Sequence, residues 1–130
     1  MLDSELAGYD GDDHAFYDQY NQLDHINHVI VLVDGTTGVA CGAFKPFDAL
    51  TAEVKRMYVA QSHRGKGYSK RVLSALETWA AELGHKRCIL ETGKIQIQAV
   101  SLYKSAGYEV MTNYGPYEGV EKSVCFQKVL

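Results

Sequence analysis

Residues 63–69, His63-Arg64-Gly65-Lys66-Gly67-Tyr68-Ser69, form a basic, glycine-rich segment between a strand-like run at residues 53–60 and an amphipathic helix. The first turn of a helix leaves about four backbone N–H groups without an intrahelical partner, and the helix dipole adds partial positive charge there. Gly65 and Gly67 let the backbone approach a ligand closely. Positive charge that can pair with phosphate oxygens comes from Arg64, Lys66 and Lys70. The segment therefore predicts a strand–turn–helix unit that binds an anion.

Apolar residues at helical spacing indicate the helix that follows this turn. They end at Gly84, a residue type common just beyond helix C-termini. The apolar positions are Val72, Leu73, Leu76, Trp79, Ala80 and Leu83. The turn is neither a P-loop nor a dinucleotide fingerprint, because Tyr68 follows Gly67 where a P-loop has lysine, and the segment contains only two glycines. A solvated basic loop whose glycines merely turn the chain is the alternative interpretation.

Composition limits the domain count, the partners and the compartment. A chain of 130 residues with 46% apolar content suits a single domain over residues 1–130. The net charge of -3 argues against a nucleic-acid partner. Cys41, Cys88 and Cys125 lack the spacing of a zinc site or a disulfide framework, so we expect no metal and a reducing compartment. Because no apolar run approaches the roughly 20 residues of a membrane span, we expect a cytoplasmic protein without a membrane partner.

The order of predicted elements indicates an α+β fold. Residues 1–27 suggest two short helices broken at Gly11, and residues 29–33 and 39–44 a hairpin. Further strands are predicted at residues 51–59, 87–92, 108–111 and 123–129, with a second helix at residues 98–105. Antiparallel strands followed by a strand–helix–strand–helix–strand core predict a mixed, mostly antiparallel sheet flanked by helices.

Several segments together resemble one enzyme family. They are the run at residues 53–59, the turn Arg64-Gly65-Lys66-Gly67-Tyr68-Ser69, the segment Leu90-Glu91-Thr92, and the helix Ala99-Val100-Ser101-Leu102-Tyr103-Lys104-Ser105-Ala106-Gly107-Tyr108. In this order they resemble the GNAT superfamily of N-acetyltransferases, from about His28 to the C-terminus. The residues that follow, Asn113-Tyr114-Gly115-Pro116-Tyr117 and Ser123-Val124-Cys125-Phe126, are similar to a subgroup of small bacterial members.

The resemblance implies a site for acetyl-CoA. The backbone of Met57, Tyr58 and Val59 would pair with the pantetheine arm as an added strand would. The pyrophosphate would lie on the amides of Arg64, Gly65, Lys66, Gly67, Tyr68 and Ser69. Arg64 and Gly67 match the family pattern Arg/Gln-x-x-Gly-x-Gly/Ala, whereas Ser69 takes the place of its final small residue.

The start of the chain departs from the family. Members usually open with a strand before the first helices, and that first strand is expected to be absent here. The strand at residues 29–33 would then lack a neighbour, and an apolar, β-branched edge is prone to pairing. We therefore expect the chain to form a homodimer through this edge.

Acetyl transfer to an amine needs a base for the ammonium proton and an acid for the departing thiolate. Tyr103 resembles the tyrosine that the family places near the CoA sulfur and is the candidate acid. Alternatively, it belongs to an ordinary core stripe with its neighbours on the helix. Glu53 is the candidate base, and the alternative is a carboxylate paired with Lys55 or Arg87.

The remaining candidates concern the acetyl acceptor. Glu91, Tyr114 and Tyr117 are candidate substrate-binding residues, although a supporting role for Glu91 and simple packing for the tyrosines are the alternatives. The five histidines share no metal-ligand spacing and are interpreted as polar surface or capping residues. The sequence thus predicts direct acetyl transfer from acetyl-CoA to a primary amine of a small molecule or peptide. A non-catalytic acyl-CoA-binding module or a partner-dependent module is the alternative.

Overall fold

The structure, a computed structural model, describes residues 28–130 as a sheet with two helices. The strands are β1 (His28–Asp34), β2 (Thr37–Asp48), β3 (Thr51–Val59), β4 (Arg87–Gly93), β5 (Glu109–Met111) and β6 (Ser123–Val129), and the helices are α1 (Tyr68–Glu82) and α2 (Ile97–Ser105). The strand order is β1-β2-β3-β4-β6-β5. β3 and β4 run parallel, whereas β1–β2, β4–β6 and β5–β6 are antiparallel. The predicted mixed α+β sheet is confirmed.

Two predictions concern residues that the structure does not describe. The short helices and the missing first strand fall within residues 1–27. Among the described strands, β1 stands at one end of the strand order. Homodimerisation through that edge stays a prediction.

No helix within residues 28–130 is both long enough and apolar enough to cross a bilayer.

The described part of the chain divides into two compact units, and the first includes residues 28–45 and 54–78. Its packing depends on a close approach between β2 and α1. A Cβ atom at Gly42 would lie 2.8 Å from Val72 Cγ1 and 3.0 Å from Leu76 Cδ1, and 2.5 Å from Met57 Sδ. These distances are shorter than carbon–carbon contacts allow. A larger residue at this position of β2 would therefore fit only if these side chains moved.

The second unit comprises residues 46–53 and 79–130. Arg87 links three of its strands: its Nε donates to the Thr51 hydroxyl over 3.0 Å and its Nη1 donates to Gln127 Oε1 over 2.8 Å. Behind this link lies a fully buried apolar core. Its members include Cys88, Ile89, Leu90, Cys125 and Phe126. The start of β3 is thus tied to β4 and β6.

Some element boundaries and one side chain differ from the sequence-based predictions. β2 continues to Asp48 rather than ending at residue 44, and its last three residues are exposed, so the strand extends beyond its buried apolar pattern. His85 is buried, so of its two interpretations, as a polar surface residue or as a capping residue, the first is wrong. Its backbone N–H donates to the Ala80 carbonyl just after Gly84, so the turn that ends α1 directs the chain inward. The three cysteines are buried and form no disulfide, in keeping with their interpretation as small apolar groups.

Candidate active site

The glycine turn lies in the first unit and has an open backbone. Gly65 and Gly67 have φ values of +79° and +80°, the left-handed region that favours glycine. No heavy atom lies within 4 Å of the position that a Cβ would take at either residue. The Gly67 carbonyl accepts the first helical hydrogen bond of α1, from the Arg71 N–H over 3.2 Å. The amides at the start of α1 therefore lack intrahelical partners and can meet an anion.

The basic side chains of this turn are partly held in place. Arg64 donates from Nε to the Val59 carbonyl over 2.9 Å, and its guanidinium carbon lies 5.9 Å from the centroid of the Tyr58 ring. Arg71 lies over the Tyr68 ring at the same distance. Lys66 and Lys70 are exposed to solvent. The turn therefore combines open backbone amides with positive charge, as the sequence predicted for an anion site.

The strand before the turn is irregular where the cofactor is expected. In the part of the chain that the structure describes, Arg56 is the one non-glycine residue with positive φ, at 59°. Such a residue breaks the regular pleat of a strand, as a bulge does. The parallel ladder of β3 with β4 pairs Thr51–Glu53 with Arg87–Ile89 and ends there, whereas β3 continues to Val59. The backbone of Met57, Tyr58 and Val59 lies beyond this ladder.

A cluster of polar side chains lies within the second unit; we call it the carboxylate cluster. Its members are Glu53, Glu91, Tyr114, Ser123 and Cys125. Tyr114 donates its hydroxyl hydrogen bond to Glu53 Oε2 over 2.8 Å, and both residues are buried. Ser123 donates to Glu91 Oε2 over 2.6 Å. Two carboxylates are therefore held by hydroxyl groups from distant parts of the chain.

Cys125 lies directly opposite Glu91 in the antiparallel ladder of β4 and β6. Burial raises the pKa of the Cys125 thiol, a hydrogen bond with the Tyr114 backbone lowers it by less, and the charges of Glu91 and Glu53 add smaller increases. The thiol is thus held in its neutral form beside the carboxylates. Cys125 fits a packing role here better than that of a nucleophile, which needs a thiolate.

Tyr103 is the buried residue of α2. Its ring lies 5.9 Å from the Tyr108 ring and 6.0 Å from the Phe126 ring, centroid to centroid. Burial raises the pKa of the Tyr103 hydroxyl to about 12. The ring therefore packs against two other aromatic rings, and the hydroxyl keeps its proton at neutral pH.

The structure brings some of the predicted residues together. Tyr114 contacts both Glu53 and the ring of Tyr117, whose centroid lies 5.6 Å away. Arg87, an alternative partner for Glu53, donates instead to Thr51 and Gln127. Sequence reasoning did not identify Ser123 and Cys125 as neighbours of Glu91, or Phe47 as a neighbour of Tyr114, because the partners in each contact are distant along the chain. Within residues 28–130 no group of three or more His, Cys, Asp or Glu side chains is placed to hold a metal.

Comparison with known proteins identifies the family. A sequence model described as the acetyltransferase (GNAT) family matches residues 2–108. The chain belongs to this family. YsnE, an uncharacterized N-acetyltransferase of Bacillus subtilis (strain 168), is 33% identical over 99 residues, which are 75% of this chain and 66% of YsnE. The chain thus spans just under two thirds of that relative's length.

Solved structures show the same fold in other GNAT proteins. A candidate acyl-CoA N-acyltransferase from Klebsiella pneumoniae subsp. pneumoniae MGH 78578 is 26% identical, with a TM-score of 0.78 over 98% of this chain and 95% of that chain. A GNAT family acetyltransferase from Elizabethkingia anophelis, solved with acetyl-CoA bound, is 18% identical, with a TM-score of 0.72 over 96% of this chain and 88% of that chain. The family predicted from the sequence is confirmed.

Proposed function

We propose that the chain is an acetyl-CoA-dependent N-acetyltransferase that transfers an acetyl group directly to a primary amine of a small molecule or a peptide. The main observation that supports this proposal is the open glycine turn at the start of α1, in a chain that belongs to the GNAT family. The acetyl-CoA bound to the Elizabethkingia anophelis protein supports the choice of co-substrate. The family match over residues 2–108 supports one acetyltransferase domain over residues 1–130.

The residues of the first unit fit a CoA ligand. The empty space around Gly65 and Gly67 leaves their backbone open to a diphosphate group. We assign this group to residues 64–69, which comprise Arg64, Gly65, Lys66, Gly67, Tyr68 and Ser69. We assign the pantetheine amides to the backbone of Met57, Tyr58 and Val59, which lies beyond the end of the β3–β4 ladder.

The residues of the second unit supply the proton chemistry. When bound, acetyl-CoA supplies an acetyl thioester whose carbon–sulfur bond breaks as the amine nitrogen bonds to the acetyl carbon. Glu53 takes the proton that the ammonium must lose to become nucleophilic. Tyr103 donates its hydroxyl proton to the departing sulfur; burial keeps that hydroxyl protonated at neutral pH. Solvent then restores both groups.

The acceptor is assigned to the carboxylate cluster and its aromatic neighbours. Glu91 is the candidate for attracting the cationic ammonium, since a carboxylate favours positive charge nearby. Tyr114 and Tyr117 form an edge-to-face pair that would line the acceptor pocket. These residues select for a cationic amine but do not specify one compound.

An amine panel tests the proposed function. The full chain is incubated with acetyl-CoA and polyamines, amino acids, aminoglycosides or peptides, and thiol release is followed together with the mass of the acetylated product. We expect amine-dependent thiol release above the level without an amine. CoA binding without turnover on any amine would instead support the non-catalytic module, and no CoA binding would reject the cofactor site as well.

A further inference from the structure

The environment of Glu53 indicates a role for Tyr114. Glu53 is only 5% exposed, and a buried carboxylate is costly unless donors surround it. Tyr114, 61 positions further along the chain and 8% exposed, provides a donor over 2.8 Å. Without such a donor, the carboxylate group of a glutamate can take a broad range of angles about its terminal carbon–carbon bond. A fixed donor on Oε2 therefore sets the plane of the Glu53 carboxylate.

Tyr114 is itself held on two sides. Its ring makes edge contacts with Phe47, at 5.3 Å and 75°, and with Tyr117, at 5.6 Å and 90°. Its carbonyl accepts a hydrogen bond of 2.9 Å from the Tyr117 N–H, within the short helical turn Gly115–Tyr117. Burial, followed by the hydrogen bond to Glu53, raises the pKa of the Tyr114 hydroxyl, so this group remains a donor at neutral pH. The hydroxyl is thus aimed at Glu53 by a rigid frame.

We propose that Tyr114 is a positioning residue whose hydroxyl orients the Glu53 carboxylate for proton abstraction from the acceptor amine. This inference rests on the proposed function, in which Glu53 is the base. Tyr114 keeps its own proton throughout, and the proton of the ammonium goes to Glu53. A misplaced base costs rate rather than affinity, because orientation matters for the proton transfer and little for substrate binding. Tyr114 therefore acts on kcat through Glu53.

A double-mutant cycle tests this role. The variants are Tyr114→Phe, Glu53→Gln and the combination of both, assayed with the best acceptor from the amine panel. Phenylalanine keeps the ring that packs on Phe47 and Tyr117 and removes only the hydroxyl. We expect Tyr114→Phe to lower kcat by about 10- to 100-fold while both KM values change by less than about twofold. In the Glu53→Gln background the same change should have almost no further effect on kcat.

The control is Tyr108→Phe, which removes the hydroxyl of another buried tyrosine of the second unit. Thermal unfolding of all variants reports the cost to stability, which a merely structural role would alter without lowering kcat selectively. Independent losses of kcat from the two substitutions, a rise in KM in place of a fall in kcat, or full kcat in Glu53→Gln would each overturn the inference while leaving acetyl transfer intact. Absence of turnover by the unaltered chain would overturn the proposed function and the inference with it.

Discussion

Arg64 and Val59 are joined by a hydrogen bond of 2.9 Å from the Arg64 Nε to the Val59 carbonyl. This bond connects the last residue of β3 to the first residue of the glycine turn. Because the guanidinium is a planar fork, an arginine that donates from Nε can still present its terminal nitrogens to another group. One side chain can therefore fix the turn and face a phosphate at once.

Arg64→Lys should weaken CoA binding. Lysine keeps the charge but is a single ammonium without the fork, so it cannot make both interactions. We expect the Kd for CoA, measured by calorimetry, to rise roughly tenfold, or about 1.4 kcal/mol, the size of one charge-assisted hydrogen bond. Arg71→Lys makes the same chemical change over the Tyr68 ring and should have a smaller effect. Equal losses in the two variants would contradict a special role for the Arg64–Val59 bond.

Gly67→Asp should also impair CoA binding, through charge. The substitution places a carboxylate at the open turn where a diphosphate is proposed, and we expect at least a tenfold rise in Kd. The matched control is Gly35→Asp in the turn between β1 and β2. Gly35 has a φ of +68° and likewise no heavy atom within 4 Å of its Cβ position, so backbone strain and added charge are similar. Unchanged CoA affinity in Gly67→Asp would reject the assignment of the turn.

Tyr103→Phe should separate catalysis from binding. The ring contacts with Tyr108 and Phe126 survive, so the fold and CoA affinity should be retained. Loss of the proton donor should lower kcat by about 10- to 10⁴-fold. Steady-state kinetics of Tyr103→Phe are compared with those of Tyr108→Phe, a control variant that removes the hydroxyl of the neighbouring tyrosine. Equal rates for Tyr103→Phe and the unaltered chain would leave Tyr103 as a core residue.

Stability should fall in alkaline solution. Burial raises the pKa of the Cys41 thiol from 9.0 to about 12. Above pH 9 the unfolded chain loses this proton while the folded chain keeps it, so the free energy of unfolding decreases as pH rises toward 12 and is fully retained below pH 9. One such group contributes a slope of up to about 1.4 kcal/mol per pH unit. Urea unfolding at several pH values should show a shallower decline in Cys41→Ala; an identical slope would argue against this source.

Gly42→Ala should destabilise the first unit. The added methyl group would meet Val72 and Leu76 of α1 at 3.0 Å or less. Overpacking of this kind typically costs about 1–3 kcal/mol in the free energy of unfolding. Gly93→Ala is the control, because the nearest atom to its Cβ position, Gln96 Cγ, is 3.5 Å away. A similar, small loss in both variants would show that α1 shifts without cost.

Local patterns in the sequence predicted the elements well where apolar periodicity and structure coincide. The bounds of β3 and β6 agree with prediction, although Glu53, Lys55 and Arg56 interrupt the apolar pattern of β3. The end of β2 was missed because its last three residues are exposed and do not continue the buried apolar pattern of the strand. The glycine turn was predictable, since its chemistry lies in consecutive residues.

Long-range contacts were not predictable in the same way. The hydrogen bond from Tyr114 to Glu53 joins residues 61 positions apart, and no local pattern records such a pairing. The same holds for the Ser123–Glu91 bond, which follows from the register of β4 and β6. The left-handed backbone of Arg56 could not be predicted from the sequence either, because an arginine in a strand-like run predicts extended geometry.

The glycine turn has a consequence in stereochemistry. Around Gly65 and Gly67 the space for a side chain is empty, so what excludes other residues is the handedness of the backbone and not their size. A D-alanine takes positive φ as readily as an L-alanine takes negative φ, so the backbone conformation at either position would suit it. A semisynthetic chain with D-alanine at position 67 would keep the shape of the turn while losing conformational freedom when unfolded. At these two positions the backbone has the handedness of a D-residue, and glycine is the genetically encoded residue that adopts it at the lowest conformational cost.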